Sequence, residues 1–156
     1  MINANVNPRV LGYLGRALSH ELSAVQQYLT QSKLAEAWGL LEAAGRLRDE
    51  AAEEMKHAER IITRMIALGV APSASQLRPA QLGANLAECL PKNHRVEAEA
   101  IALYQDALRY CQRIQDRDNG AFFEALWKEE LAHGREMAQW FATVESSAAS
   151  GRRAFF

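Results

Sequence analysis

The sequence predicts an all-α fold, an antiparallel four-helix bundle with one long crossover between its second and third helices. Apolar residues recur at alternating intervals of three and four along four separate stretches of the 156-residue chain, as one buried helical face requires. The connections between these stretches are short, long and short in turn, and the long one is rich in proline and glycine. With 49% hydrophobic residues the chain can bury one substantial core, so we expect one domain over residues 1–156.

The first predicted helix, α1, covers about residues 8–37. Asn7 can accept hydrogen bonds from the first free amides, and Pro8 loses nothing at the first helical position. The buried stripe of α1 contains one carboxylate among apolar residues, and its members are Leu11, Leu14, Leu18, Glu21, Val25 and Tyr28.

The second predicted helix, α2, covers about residues 40–68. It follows Trp38 and Gly39, and Gly69 supplies the stop. Its stripe again holds one carboxylate, and it comprises Leu40, Ala44, Leu47, Ala51, Glu54, Ala58, Ile61, Met65 and Leu68.

The long connection, residues 69–84, carries two prolines and two glycines and shows little periodicity. Helix α3 is predicted over about residues 86–115, although Pro91 favours a start there or a kink just before it. A carboxylate recurs in its stripe, which is formed by Leu90, Asn93, Glu97, Ile101, Tyr104, Leu108 and Cys111.

The last predicted helix, α4, covers about residues 120–145 after a short turn from Asp116 to Gly120. We expect an irregular tail over residues 146–156, which is small and polar until Phe155 and Phe156. The stripe of α4 holds a carboxylate and an imidazole, and it consists of Phe123, Leu126, Glu130, His133, Met137, Trp140 and Val144.

Polar residues inside all four stripes indicate a functional core. An all-α bundle without a cofactor explains the apolar positions, but it leaves four ionised carboxylates buried at a cost of many kcal/mol. Interhelical salt bridges are the alternative, yet the stripes contain no matching Lys or Arg. The residues concerned are Glu21, Glu54, Glu97 and Glu130.

Two of these carboxylates belong to a Glu-x-x-His pair, since His57 follows Glu54 and His133 follows Glu130 at i+3, on the same helix face. The interval from the lone Glu to the paired Glu is 33 residues in both halves of the chain. In an antiparallel hairpin that offset places a lone Glu at the depth of its neighbour's Glu-x-x-His.

The six side chains should therefore lie in one layer and bind two metal ions. Four carboxylates and two neutral imidazoles carry four negative charges, which two divalent cations balance. Oxygen-rich coordination with one imidazole per ion suits iron or manganese, and iron is preferred, whereas structural zinc favours Cys and His. We expect Glu21 with His57 on one ion, Glu97 with His133 on the other, and Glu54 with Glu130 bridging the two.

Several strings of residues resemble bacterioferritin over about residues 7 to 145. They are His20-Glu21-Leu22 with Gln27-Tyr28, Trp38-Gly39-Leu40, the run from Glu54-Met55-Lys56-His57 to Arg60, and Glu129-Glu130-Leu131-Ala132-His133. The resemblance implies a ferritin-like antiparallel four-helix bundle, a ferroxidase centre at the six residues and a cage of twenty-four subunits built from dimers. It also implies haem b shared between two subunits through a Met from each, and it leaves room for a ferredoxin-type reductant as partner.

The chain departs from that family at several positions. Tyr28 matches one aromatic residue near the metals, but Ile61 and Glu136 occupy the places of others, so electron delivery is expected to differ. Arg48 stands where the haem pocket would have an aromatic residue, beside an otherwise suitable apolar wall. The tail offers no convincing fifth helix. The wall consists of Leu22, Val25 and Leu29.

Other residues have both a functional and an ordinary interpretation. Met55 would ligate haem or pack at a subunit contact. Tyr28 would act in redox chemistry or, as we prefer, donate a hydrogen bond to a ligand carboxylate.

Acidic and imidazole groups near the predicted centre are equally ambiguous. Asp49 and Glu53 would collect iron on an inner surface or form a solvated acidic face. His20 and His94 lack the Glu-x-x-His context, so we expect surface positions or positions that support the ligands.

The predicted function is iron storage and detoxification, with Fe(II) oxidised by oxygen or hydrogen peroxide and Fe(III) deposited in a cage. A small di-iron oxidase or peroxidase without storage is the rival, and a structural cage subunit with a metal-stabilised core is third.

Composition excludes several other partners. A formal net charge of −1 lacks the basic excess that nucleic acid requires, and no apolar run is long enough for a membrane span. The isolated Cys89 and Cys111 indicate a reducing, cytoplasmic location and receive no role.

Overall fold

A computed structural model describes the backbone of residues 6–73 and 75–153 and the side chains of those up to residue 148. It confirms the all-α class, since that part of the chain contains helices and no strand. None of the helices in this part is long and apolar enough to cross a membrane. The four helices are α1 (Pro8–Ala37), α2 (Leu41–Ala67), α3 (Leu86–Arg113) and α4 (Arg117–Arg153).

The bundle is built from two helical hairpins. Helix α1 packs along α2, α3 packs along α4, and α1 also contacts α3. The larger apolar cluster draws on all four helices and includes the buried Leu14, Ile61, Tyr104 and Phe123. A smaller cluster around Leu47 closes the other end. The polar residues of the stripes lie between these two apolar regions.

The helix ends follow from local chemistry. The Asn7 carboxamide oxygen accepts from Arg9 N at 2.9 Å, as the sequence predicts for a helix cap. Gly39 and Gly69 both adopt positive φ, near +77° and +78°, two residues after the last residues of α1 and α2. Only glycine takes that conformation without strain, so both helices stop where the sequence predicts.

Helix α3 begins before its proline. The Asn85 side chain accepts from Glu88 N at 3.0 Å, which starts the helix at Leu86, and Pro91 then lies within it. The start at Leu86 agrees with the predicted range of 86–115, and the alternative start at Pro91 is not found. An asparagine cap six residues upstream outweighs the one hydrogen bond that the proline cannot donate.

The turn before α4 is shorter than predicted. The carboxylate of Asp116 accepts from Asn119 N at 3.1 Å, so α4 already begins at Arg117 and not at residue 120. Gln115 absorbs the reversal with a φ of 61°. The polar run from Asp116 to Gly120 has the composition of a loop, but its first residue acts as a helix cap.

The tail prediction was also wrong for residues 146–153, which continue α4 as regular helix. No proline interrupts this segment, and its first two serine hydroxyls bond to the helix's own backbone. Ser146 Oγ donates to the Ala142 carbonyl at 2.9 Å and Ser147 Oγ to the Thr143 carbonyl at 3.0 Å. Phe155 and Phe156, predicted to give the tail an apolar end, lie outside the described residues.

The crossover is held against α1 through its backbone. Gln76 N donates to Ser19 Oγ at 3.0 Å and Arg78 N donates to Ser23 Oγ, also at 3.0 Å. Further along, buried amides form a closed ring of hydrogen bonds that includes the backbone of Gln81. This ring also contains the side chains of Gln27, Asn93 and Gln31. The long connection is therefore a fixed strap across the α1 side of the bundle.

Candidate metal centre

The structure brings all six predicted ligand side chains into one layer at the middle of the bundle. Each helix contributes at the depth that the two equal intervals require. Five of the six residues are no more than 2% exposed, and His133 is only partly exposed. The buried five are Glu21, Glu54, His57, Glu97 and Glu130.

Glu54 and Glu130 face both histidines. One oxygen of Glu54 lies 3.0 Å from His57 Nδ1, and its other oxygen lies 3.3 Å from His133 Nδ1. Glu130 repeats the arrangement, with distances of 2.8 Å to His57 Nδ1 and 3.7 Å to His133 Nδ1. Each carboxylate thus presents one oxygen to each imidazole, as a ligand bridging two ions would.

The remaining two carboxylates each contact a different member of this core. Glu21 Oε1 is 3.7 Å from His57 Nδ1, which associates Glu21 with the His57 side. Glu97 comes from α3 and contacts Glu130. The imidazole rings of His57 and His133 are stacked, with centroids 5.5 Å apart and planes inclined by 14°.

Many of these buried atoms have no hydrogen-bond partner among the described residues. The distances between them are short, but the angles are not those of hydrogen bonds. Buried polar atoms are normally paired, so a group of orphans that converge on one point indicates an ion. Ligand atoms from Glu54, His57, Glu130 and His133 all lie within 4.8 Å of one another. The orphaned atoms are both oxygens of Glu54 and of Glu130, Nδ1 of His57 and of His133, and Oε2 of Glu97.

The charges in the layer divide into two classes. Burial raises the pKa of Glu21 and of Glu97 well above the usual range, favouring their protonated forms. Contacts with the two histidines lower the pKa of Glu54 and of Glu130, although burial opposes this shift.

Both histidines favour the imidazolium form. The carboxylates of Glu130 and Glu54 raise the pKa of His133 to about 11. The pKa of His57 is raised as well, because its contacts with Glu130, Glu21 and Glu54 outweigh its burial. Protons thus neutralise the layer when no ion is bound.

Two tyrosines connect the halves of the bundle in a crosswise manner. Tyr28 on α1 donates to Glu97 Oε1 on α3, and Tyr104 on α3 donates to Glu21 Oε1 on α1. The first bond matches the preferred interpretation of Tyr28. The sequence pattern predicts Tyr104 only as a member of the apolar stripe and not as a site residue. The signal was available, because each tyrosine follows the lone Glu of its helix by seven residues.

Glu129 and Arg60 extend the centre outward from His57. The Nε2 atom of His57 lies 2.9 Å from Glu129 Oε2, and Arg60 Nη1 lies 2.7 Å from the same oxygen. Both residues stand within the strings that carry the resemblance, but sequence analysis gave neither a role. Their neighbourhood depends on how α2 and α4 pack, which no spacing within one helix reveals.

The ambiguous histidines and acids lie apart from the six-residue layer. His20 is buried and bonds to the Val96 carbonyl at 3.1 Å and to Arg78 of the crossover at 2.7 Å. Burial and the Arg78 charge lower its pKa. His94 is exposed. Glu53 pairs with its neighbour Lys56 at 2.6 Å, which favours a solvated face for the acidic pair that Glu53 forms with Asp49.

The predicted haem residues lie on an outer face. Met55 points away from the layer and is 40% exposed, and Leu29 is 44% exposed. Val25 is largely buried and Leu22 packs partly against the core. Arg48 forms an ion pair with Glu36 across the α1–α2 hairpin.

Comparison with known proteins gives consistent matches over most of the chain. A family model for the ferritin-like domain matches residues 11–147. Bacterioferritin of Rhodobacter capsulatus is 36% identical over 125 residues, which are 80% of this chain and 78% of that protein. Bacterioferritin of Mycolicibacterium paratuberculosis is 32% identical over 127 residues, 81% of this chain and 80% of that one.

A solved structure matches equally well. The Rhodobacter capsulatus bacterioferritin superposes with a TM-score of 0.86 at 32% identity, covering 90% of this chain and 88% of that chain. That structure has a metal-free dinuclear site and a haem iron in a crystallographic special position.

Proposed function

This chain belongs to the bacterioferritin family of ferritin-like proteins, and from that membership we propose that it is an iron-storage ferroxidase. Fe(II) is its substrate. Two ions bind in the six-residue layer, are oxidised there, and pass as Fe(III) to a mineral inside a cage of subunits.

The observation that carries this proposal is the pair of two-sided carboxylates. Glu54 and Glu130 each turn one oxygen to His57 Nδ1 and one to His133 Nδ1, and all four oxygens lack hydrogen-bond partners among the described residues. A single ion would leave half of these oxygens orphaned. Two ions satisfy them and account for the two remaining carboxylates as terminal ligands.

The roles of the residues follow from their positions. Glu21 with His57 would hold one Fe(II), Glu97 with His133 would hold the other, and Glu54 with Glu130 would bridge. Tyr104 donates to Glu21 Oε1 and Tyr28 donates to Glu97 Oε1, and Glu97 Oε2 is one of the atoms without a partner among the described residues. These bonds orient ligands that could otherwise rotate.

The reaction is a two-electron oxidation. Each Fe(II) gives up one electron, and the pair of electrons with two protons reduces hydrogen peroxide to two waters or dioxygen to hydrogen peroxide. Oxidation adds two positive charges to a layer that four carboxylates balance only for divalent ions.

Anaerobic titration with Fe(II) tests the site directly. We expect two tightly bound ions per subunit, and loss of rapid oxidation in Glu97→Ala and in His133→Ala while both variants remain helical by circular dichroism. Unaltered oxidation rates in both variants would refute the assignment of the site.

The same family membership supports a haem group on the outer face. The side chains fit one. Met55 offers an exposed thioether. The contact between His57 and Glu21 sets the register of the α1–α2 hairpin, so Leu22 lies at about the same level along the bundle as Met55. Val25 and Leu29 follow Leu22 along α1. A haem held by two identical chains would lie on the axis between them. There the Met55 thioether of each chain would hold it, and it would supply a one-electron carrier.

Haem binding is tested with protein purified under haem-replete conditions. We expect a low-spin spectrum, half a haem per subunit, loss of the spectrum in Met55→Leu, and ferroxidase activity that the substitution leaves largely intact. Haem-free protein that also fails to take up added haem would contradict the proposal. In that case Arg48 would be the next residue to substitute, because the family's haem pocket has an aromatic residue at this position.

The assembly and its setting complete the proposal. Dimers are expected to form a closed cage of twenty-four subunits in the cytoplasm. A ferredoxin-type protein is the expected reductant for iron release.

A further inference from the structure

The two imidazoles of the candidate centre have different surroundings on their outer sides. His57 Nδ1 faces the carboxylates of the layer, and its Nε2 lies 2.9 Å from Glu129 Oε2. The same oxygen also accepts a hydrogen bond from Arg60 Nη1 at 2.7 Å. A chain of three residues thus runs from the inner layer to the surface, crossing from α2 to α4 and back.

His133 has no such support. In the internal repeat Glu53 is the counterpart of Glu129, and Glu136 is the counterpart of Arg60. The members of each pair are separated by the same interval as the two histidines. Glu53 instead pairs with Lys56 at 2.6 Å, and Glu136 carries the wrong sign. In the described part of the chain, no carboxylate lies within ion-pair distance of His133 Nε2.

The two histidine side chains also differ in their exposure to solvent. The His57 side chain is 2% exposed and that of His133 is 16% exposed. A ligand imidazole that donates its outer N–H to a carboxylate is fixed in tautomer and orientation and is a stronger base. Loss of such a partner typically costs ten- to a hundredfold in metal affinity.

We propose that Glu129, held in place by Arg60, is a positioning residue that aims His57 Nδ1 into the centre and makes the His57 position the tighter of the two metal positions. The inference rests on the proposed two-ion site. It adds an order of filling, with the first ion at Glu21 and His57 and the second at Glu97 and His133.

An ordinary surface ion pair would predict something different. The side chains of Glu129 and Arg60 are 45% and 39% exposed, and exposed pairs contribute about 0–1 kcal/mol to stability. If the pair only joined α4 to α2, its loss would slightly lower the thermal midpoint of the metal-free protein and leave metal affinity unchanged.

The test is a titration of the full-length assembled protein with Co(II), followed by visible absorption and by calorimetry. Glu129→Leu removes the acceptor, whereas Glu129→Gln keeps a hydrogen-bonding oxygen without its charge. Glu124→Gln is the matched control, because Glu124 lies on the same helix, is similarly exposed and pairs with Lys128 at 3.0 Å.

We expect two separable steps in the unaltered protein and in Glu124→Gln. In Glu129→Leu the tighter step should weaken about ten- to a hundredfold while the second keeps its affinity, and Glu129→Gln should fall between. Two steps of unchanged affinity in both Glu129 variants would overturn the positioning role alone. Fewer than two Co(II) ions per subunit in the unaltered protein would overturn the two-ion site and this inference together.

Discussion

At the scale of single residues, the candidate centre is a layer in which protons and metal ions replace one another. In the metal-free layer the lowered pKa values of Glu54 and Glu130 favour their ionised forms and the raised pKa values of both histidines favour imidazolium. The raised pKa values of Glu21 and Glu97 favour their neutral forms. Two negative and two positive charges then cancel. Two divalent ions bound to four carboxylates and two neutral imidazoles give the same total.

Metal binding should therefore release protons. About two protons should leave for each ion at neutral pH, since ligands bind iron only when deprotonated. The sign follows from the raised pKa values, because a group protonated in the free site must lose its proton, so affinity falls as pH falls. The His133 pKa of about 11 places this exchange across the whole neutral range.

Calorimetry with Co(II) in buffers of different ionisation enthalpy measures that release. Each displaced proton contributes a factor of about ten in affinity per pH unit. A Co(II) affinity that does not change between about pH 6 and pH 8 would show that the metal-free layer is already deprotonated in that range.

The two tyrosines separate hydrogen bonding from redox chemistry. Tyr28 and Tyr104 make equivalent bonds to Glu97 and Glu21, so Tyr28→Phe and Tyr104→Phe should weaken metal binding to a similar extent, by roughly 1.5–3 kcal/mol. Stopped-flow oxidation at saturating Fe(II) then compares the chemistry. A much slower oxidation in Tyr28→Phe alone would assign Tyr28 an electron-transfer role.

Sequence alone predicts the residues of the layer better than their neighbours. The two Glu-x-x-His pairs and the two equal intervals are properties of single helices, so they can be seen in the printed chain. The partners of Glu129 and Tyr104 lie on other helices. Such contacts depend on how helices are rotated about their axes, and apolar periodicity fixes that rotation only within about one residue position.

At the scale of the helix, capping side chains decide the boundaries. Asn7, Gly39 and Gly69 are predicted correctly because one residue type suffices for each end. Asp116 and the continuation of α4 through Arg153 are missed because polar residues suit both a loop and a helix end. The difference depends on a hydrogen bond that composition does not specify.

The close approach of the crossover to α3 gives a prediction at this scale. A Cβ on Gly83 would lie 2.6 Å from Glu88 Cβ and 3.0 Å from Cys89 N, and helical backbone cannot move aside. We expect Gly83→Ala to destabilise the metal-free protein by roughly 1–3 kcal/mol.

Thermal unfolding by circular dichroism checks this, with Gly12→Ala as the matched control. A Cβ on Gly12 would meet nothing within 4 Å, and Gly12 lies inside α1. The control should gain roughly 0.5–1 kcal/mol in stability. Equal changes in the thermal midpoint of the two variants would mean that the backbone at Gly83 moves to accommodate the added Cβ without a cost in stability.

At the scale of the whole molecule, storage requires a closed shell. Closed assemblies form through contacts that return on themselves, so surfaces near the symmetry axes determine the outcome. The chain supplies no separate fifth helix in its described part; it supplies an α4 of 37 residues, about 55 Å long. In the proposed cage, a pore that a separate fifth helix would line should therefore be wider or differently lined.

Removing residues 147–156 should leave the twenty-four-subunit cage intact. The truncation leaves the hairpin faces, which we expect to carry the dimer contacts and most contacts between dimers. Light scattering and aerobic Fe(II) loading measure the result, with on the order of hundreds of iron atoms expected per cage on the basis of closed-shell assembly. Dimers at micromolar concentration, with loading that ends near two ions per subunit, would instead select the small di-iron oxidase.

The division of the ligands between two hairpins also governs when the centre can form. Glu21, Glu54 and His57 belong to the α1–α2 hairpin, and the other three ligands belong to the α3–α4 hairpin. During refolding each hairpin can form rapidly from contacts that are local in sequence, whereas their docking must close the long crossover. Competence for metal therefore arises at the last step of folding. A bound pair of ions, in turn, raises the kinetic barrier to separating the hairpins, so the loaded protein should unfold far more slowly than the empty one.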